Sequence, residues 1–262
     1  MRIEVRDLSI RFATGVQAVA GASLTVANGE FVAIVGPSGC GKSTLLNAIA
    51  GLLSPEEAQV VGEILADGHD MRKRSARDLN IGYVFQRDNL LPWRTIQENV
   101  ETGLQIRGVD TQARRRRGAE LMEMASLTGF EHYYPHQVSG GMRQRASLIR
   151  TLAYEPQLIL MDEPFGALDA HTRMILQAEL LRIWERTRKT ILFVTHDLSE
   201  AIILAQRIAL FSKRPGSVRR VYEIDLPHPR DPFELRGSAR FGDLETTIWR
   251  TLRDDFRVNL AA

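Results

Sequence analysis

The sequence predicts an α/β protein whose sheet carries a phosphate-binding loop, and three observations lead there. The first is an apolar run, Phe31-Val32-Ala33-Ile34-Val35, that enters Gly36-Pro37-Ser38-Gly39-Cys40-Gly41-Lys42-Ser43-Thr44 and continues with helical spacing through Leu45 and Ile49. The second is a set of further apolar runs, Ile81-Gly82-Tyr83-Val84-Phe85-Gln86, Leu158-Ile159-Leu160-Met161 and Ile191-Leu192-Phe193-Val194, each leading into polar residues. Runs that are apolar on consecutive residues read as strands buried on both faces, as in parallel sheets. The third is the stripe Leu176, Leu180, Ile183 and Trp184, which places an amphipathic helix between the last two of those strands.

The glycine loop is the most informative stretch. Strand, GxxxxGK[ST] and helix together form the context in which backbone N–H groups turn inward onto phosphate oxygens. The N-terminus of the following helix adds its partial positive charge. Lys42 then reaches the β- and γ-phosphates, and the Ser43 hydroxyl can ligate Mg²⁺. These residues predict a nucleoside triphosphate as ligand. Cys40 sits inside the loop and reads as a small filler.

Composition limits the remaining classes. At 262 residues the chain can hold a large α/β domain and an insertion. No apolar run approaches the ~20 residues that a membrane helix requires. Residues 1–5 alternate like a strand and lack the apolar core of a signal peptide. A single cysteine excludes an internal disulfide and suits a reducing compartment. A net charge of +2 gives no nucleic-acid footprint by itself. The expectation is a cytoplasmic protein that reaches any membrane through a partner.

Taken in order, residues 2–35 alternate strand-like segments with turns at Ala13-Thr14-Gly15 and Asn28-Gly29. The first segment ends near Phe12, whose ring can pack in the core or stack on an adenine base. Residues 60–69 are strand-like and close on a turn. Gln86 ends the strand at 81–86, where ligands bind in open α/β sheets. From residue 87 to about 152 the pattern is helical, with Thr95 and Glu98 spaced as a capping box. Arg114-Arg115-Arg116-Arg117 reads first as a solvated helix face, with anionic lipid contact as the alternative.

Ser139-Gly140-Gly141 opens the next helix and builds a second nest of N–H groups. Asp162 and Glu163 follow an apolar strand. Side chains alternate along a strand, so the two acids are expected to take different jobs. Asp162 can hold the Mg²⁺ water shell beside Ser43, and Glu163 can polarise an attacking water. His196, at the end of a neighbouring strand, can contact the γ-phosphate or orient that water. Beyond Ser212 the pattern weakens into turns, with one amphipathic helix marked by Leu244, Ile248 and Leu252.

The order of these features resembles the ABC-type ATPases: phosphate loop, strand-end glutamine, Ser-Gly-Gly, Asp-Glu, Ala167-Leu168-Asp169 and strand-end histidine. Residues 138–145, Val-Ser-Gly-Gly-Met-Arg-Gln-Arg, look like that family's signature, with valine where leucine is usual. The resemblance covers roughly residues 1–230. It implies a phosphate-loop ATPase core with a mixed sheet, an antiparallel β-subdomain and an inserted helical subdomain. The expected division is 1–87 with 156–230, then 88–155, then a C-terminal extension at 231–262. The resemblance also assigns Phe12 to adenine stacking, in place of the usual tyrosine. It places Gln86 in the glutamine loop as a Mg²⁺ ligand with Ser43 and Asp162, and Asp169 in the D-loop. Lys42, Glu163 and His196 are the expected catalytic set. Ser139, Gly140, Gly141 and Gln144 are expected to act in trans on a second copy, giving a head-to-tail dimer with ATP between the chains.

A narrower resemblance rests on Leu90-Leu91-Pro92-Trp93, residues 134–137 (Tyr-Pro-His-Gln), residues 165–169 (Phe-Gly-Ala-Leu-Asp) and residues 212–216 (Ser-Lys-Arg-Pro-Gly). It is to the ATPases of nitrate/sulfonate/taurine-type importers. That subgroup implies a membrane permease, an extracytoplasmic solute-binding protein, and a peripheral location on the cytoplasmic face of the membrane. No nucleic acid is expected. The alternative is a soluble ABC-type ATPase acting on DNA or ribosomes, whose usual second cassette or long coiled coil is missing here.

Overall fold

The computed structural model describes residues 1–73, 80–166 and 168–257. The chain begins as an antiparallel sheet. Strands β1 (Ile3–Phe12) and β2 (Gln17–Val26) pair directly, and β4 (Ala58–Ala66) and the two-residue β5 (His69–Asp70) extend the order to β2-β1-β4-β5. Alternation of buried and exposed residues along β1 gives this sheet one face for the core.

The second sheet runs β10-β9-β3-β8-β7-β6. Its members are β3 (Phe31–Val35), β6 (Ile81–Val84), β7 (Leu158–Asp162), β8 (Thr190–Thr195), β9 (Arg207–Phe211) and β10 (Val218–Glu223). The strands from β9 to β6 are parallel, and β10 is antiparallel at the edge, so the sheet is mixed. Every residue of β3 and β8 is buried, as their apolar runs predict.

Helices cover both faces: α1 (Lys42–Ala50), α5 (Ala170–Thr187), α6 (Leu198–Leu204), the short α7 (Pro232–Leu235) and α8 (Ala239–Arg257). Between β6 and β7 lie α2 (Ile96–Ile106), α3 (Thr111–Met124) and α4 (Gly140–Ala153). Most of their apolar residues form a cluster of their own, including Leu90, Ile96, Val100, Leu121, Leu127 and Ile149, while Leu148 and Leu152 of α4 pack into the cluster beside the sheet. The capping box at α2 forms as expected: Thr95 Oγ1 accepts from the Glu98 N–H, and Glu98 accepts from the Thr95 N–H at 2.8 Å. Arg114 and Arg117 of the basic run are tied into ion pairs with Glu101 and with Glu120 and Glu155, while Arg115 and Arg116 stay exposed.

Three places differ from what periodicity suggests. Strand β6 stops at Val84, so Phe85 and Gln86 lie beyond it and are exposed. Strand β10 was not legible, because Arg219, Arg220 and Glu223 leave an edge strand without an apolar alternation. Glu163 lies outside β7, in a left-handed turn with φ 45°. Its direction relative to Asp162 therefore comes from that turn and not from strand alternation.

The closing segment is held by Arg230, 7% exposed. Its guanidinium donates to the carbonyl oxygens of Ile202, Ile203 and Ala205 at the end of α6, and to those of Ile224 and Leu226. Carbonyls at a helix C-terminus are orphan acceptors with partial negative charge, which suits a cation. Burial draws the Arg230 pKa down to about 10. Helix α8 adds Phe241, Leu244, Ile248 and Leu252 to the core.

Candidate nucleotide site

The site lies at the carboxyl ends of the parallel strands, where an open α/β sheet leaves a crevice. The phosphate loop follows β3, with Gly41 as N-cap of α1 at φ 104°. Glycine is obligatory at both ends of the loop. A Cβ on Gly36 would lie 2.6 Å from the Phe211 carbonyl oxygen, and one on Gly41 would lie 2.5 Å from that of Ala18. Gly41 has the left-handed backbone as well, which no β-carbon tolerates cheaply. Pro37, Ser38, Gly39 and Thr44 complete the stretch, and Cys40 is buried, with burial pushing its thiol pKa up.

Lys42 is 4% exposed. Its Nζ donates to the carbonyl oxygens of Gly36 at 2.8 Å and Pro37 at 2.7 Å. The ammonium is thus held inside the ring of the loop, next to the N–H groups that would face a phosphate.

The two consecutive acids take different partners. Asp162, at the end of β7, accepts from Ser43 Oγ at 2.8 Å. Burial raises the Asp162 pKa, the Ser43 hydrogen bond opposes that, and the neighbouring Glu163 adds to it. Glu163 turns the other way: its N–H donates to the Val194 carbonyl at 2.9 Å, and its Oε2 lies 2.9 Å from His196 Nδ1. One pair, Ser43 with Asp162, and another, Glu163 with His196, therefore stand at the ends of adjacent strands β7 and β8. Hydroxyl and carboxylate oxygens are the donor set a hard divalent cation takes, and Mg²⁺ draws its other ligands from phosphate and water. A cation there would favour the charged form of the half-buried Asp162, against the rise in pKa that burial causes.

Gln86 is exposed beyond β6 and has no side-chain hydrogen bond among those described, so Ser43 and Asp162 are brought together without it. Phe12 is half-buried at the end of β1 and packs on the cluster beneath the phosphate loop.

Ser139 caps α4, accepting from the Met142 N–H at 3.3 Å, and Ser139 and Gly140 are exposed. Gly141 abuts α5: a Cβ there would lie 2.8 Å from Thr172 Cγ2. Gln144 turns inward, buried with its amide nitrogen unpartnered. Asp169 caps α5 through the N–H groups of His171 and Thr172 at 3.1 and 3.0 Å, which hold its pKa down. Ala167 lies outside the described residues. Sequence reasoning missed Arg173, which lies between Asp197 and Glu200 at 3.4 and 3.6 Å. The signal was present in the acids that follow His196 at the start of a helix.

A family model described as ABC transporter matches residues 19–166. An uncharacterised ABC transporter ATP-binding protein of Methanocaldococcus jannaschii is 44% identical over 240 residues, covering 92% of this chain and 86% of that protein. The aliphatic sulfonates import ATP-binding protein SsuB of Bacillus anthracis is 41% identical over 251 residues, covering 95% and 94%. Among solved structures, the dimeric post-hydrolysis state of the ATP-binding cassette MJ0796, bound to ADP and Pi, superposes with a TM-score of 0.75. It is 34% identical and covers 86% of this chain and all of that one.

Proposed function

This chain belongs to the ABC transporter family as an ATP-hydrolysing, ATP-binding subunit, and we propose that it powers uptake of a small sulfonate or related anionic solute through a separate membrane permease. Similarity to SsuB along nearly the whole chain supports that solute class. No helix among the described residues is long and apolar enough to cross a membrane, and in this proposal the permease supplies the path for solute. An extracytoplasmic binding protein would deliver the solute to that partner.

In the same proposal the chain divides at residues 88–155, most of whose buried apolar residues form a cluster of their own while Leu148 and Leu152 join the cluster beside the sheet. The permease docks at residues 90–94, beside the exposed Trp93. Two copies pair head to tail, with Ser139, Gly140 and Gly141 of one facing ATP on the other. Gln144 then acts from beneath, by holding α4, because it is buried.

The chemistry rests on one observation, the separation of the two acids. Ser43 and Asp162 are the residues that would hold Mg²⁺, which neutralises phosphate charge when bound. Lys42 leaves its two carbonyls for the β- and γ-phosphates. Glu163 accepts the hydrogen bond of the attacking water and draws its proton, and His196 fixes the Glu163 carboxylate from the side. Phe12 stacks on the base.

Affinity purification of the tagged chain from detergent-solubilised membranes tests the partnership. A permease should co-purify, and reconstituted vesicles should show ATPase activity stimulated by an alkanesulfonate with its binding protein. Co-purification with ribosomes or DNA in place of a permease would point to the soluble class.

A further inference from the structure

The turn that carries His196 and the segment that carries Leu168 and Asp169 are joined by a single side chain. Arg173, in the first turn of α5, donates through Nη2 to the Leu168 carbonyl oxygen at 3.0 Å. Its guanidinium also approaches Asp197 Oδ2 at 3.4 Å and Glu200 Oε1 at 3.6 Å. Both carboxylates belong to the start of α6. Asp197 caps that helix, accepting from the N–H groups of Ser199 and Glu200 at 2.8 and 3.3 Å. Glu200 is buried, and its other oxygen accepts from Thr195 Oγ1 at 2.6 Å. The Thr195 oxygen in turn accepts from the Asp197 N–H at 3.0 Å. His196 lies between Thr195 and Asp197, so its backbone is held on both sides by this network.

We propose that Arg173 is a positioning residue for hydrolysis, which locks the His196 turn to the segment at Leu168 and Asp169. The inference rests on the assignment of Glu163 and His196 to the attacking water. A guanidinium fork presents donors in fixed directions, so it transmits a shift of Leu168 to α6 more faithfully than a flexible ammonium would. Coupling of this kind needs a contiguous set of contacts with defined geometry, and these contacts run from a carbonyl in one active segment to the cap of the helix behind the other. When a partner chain moves the exposed Ser139–Asp169 side of the molecule, the imidazole follows.

A residue that only supports the fold makes a different prediction. Arg173→Ala leaves Glu200 buried without its cation and lowers stability for that reason alone. The double variant Arg173→Ala/Glu200→Gln removes the orphaned charge and keeps an acceptor for Thr195. Its melting temperature should return toward that of the wild type. Its kcat should stay about 10- to 100-fold low, with KM for ATP within about twofold, since misplaced groups cost rate and not binding. Recovery of kcat together with stability would overturn the proposal, as would a loss carried by KM. Glu163→Gln, measured in parallel, separates the two levels. Normal turnover in that variant removes the active pair on which the inference depends, and a dead Glu163→Gln beside a fully active double variant removes Arg173 alone.

Discussion

Asp162 and Glu163 differ by one position and by everything around them. Burial raises the Asp162 pKa, and the hydrogen bond that Ser43 donates to it opposes that rise. Because its folded pKa is raised, the protonated form is favoured by folding. That contribution is complete below the ordinary aspartate pKa and is lost as pH rises through the raised value. Glu200, raised by burial as well, acts in the same direction. Without nucleotide and metal, Asp162→Asn should therefore melt at or above the wild-type temperature near neutral pH, with a flatter dependence in the acid range. Its Mg²⁺-dependent ATPase should fall about 10- to 100-fold. Thermal scans across pH, with and without Mg²⁺ and ATP, measure both; a strongly destabilised apo variant would contradict the assignment. The sequence marked the two acids as neighbours with different surroundings, and the structure gives them different partners, Ser43 and His196. The sequence did not make the turn at Glu163 legible, since a left-handed backbone at a glutamate has no signal in residue pattern.

At the level of elements, apolar runs identified β3, β6, β7 and β8, whereas the equally apolar, buried β9 (Arg207–Phe211) was passed over along with the polar edge strand β10. Strands β3 and β8 have no exposed position, so each residue contributes to the pattern. Strand β10 offers two consecutive arginines and a terminal glutamate to solvent and is defined by its pairing with β9 alone. In the segment before α2, Trp93 is 71% exposed while Leu90 is buried. Large exposed aromatics are enriched at interfaces. Trp93→Ala should therefore leave basal ATPase and melting temperature close to wild type and lower solute-stimulated activity in vesicles severalfold. Loss of the fold in that variant, read by circular dichroism, would count against a surface role.

The chain carries one phosphate loop and one Ser-Gly-Gly turn, and the similar cassette MJ0796 has solved structures that are dimeric. On the proposed head-to-tail pairing, the exposed cap of α4 and the crevice at the sheet ends would each supply half of a site. Motif order set Asp162 beside Ser43, and Glu163 and His196 around one water, and the structure supplies the direct contacts, 2.8 Å from Ser43 Oγ to Asp162 and 2.9 Å from His196 Nδ1 to Glu163, between segments more than 30 positions apart. The most direct test is Glu163→Gln with ATP and Mg²⁺, measured for turnover and for mass by light scattering after size exclusion. Removing a water-polarising group costs on the order of 10²–10⁴-fold in rate and leaves nucleotide binding largely intact. The account predicts that loss, together with a stable dimer holding two ATP molecules that Lys42→Ala does not form. Near-normal turnover with intact Mg²⁺ dependence, or a monomer that hydrolyses ATP at the full rate, would contradict it.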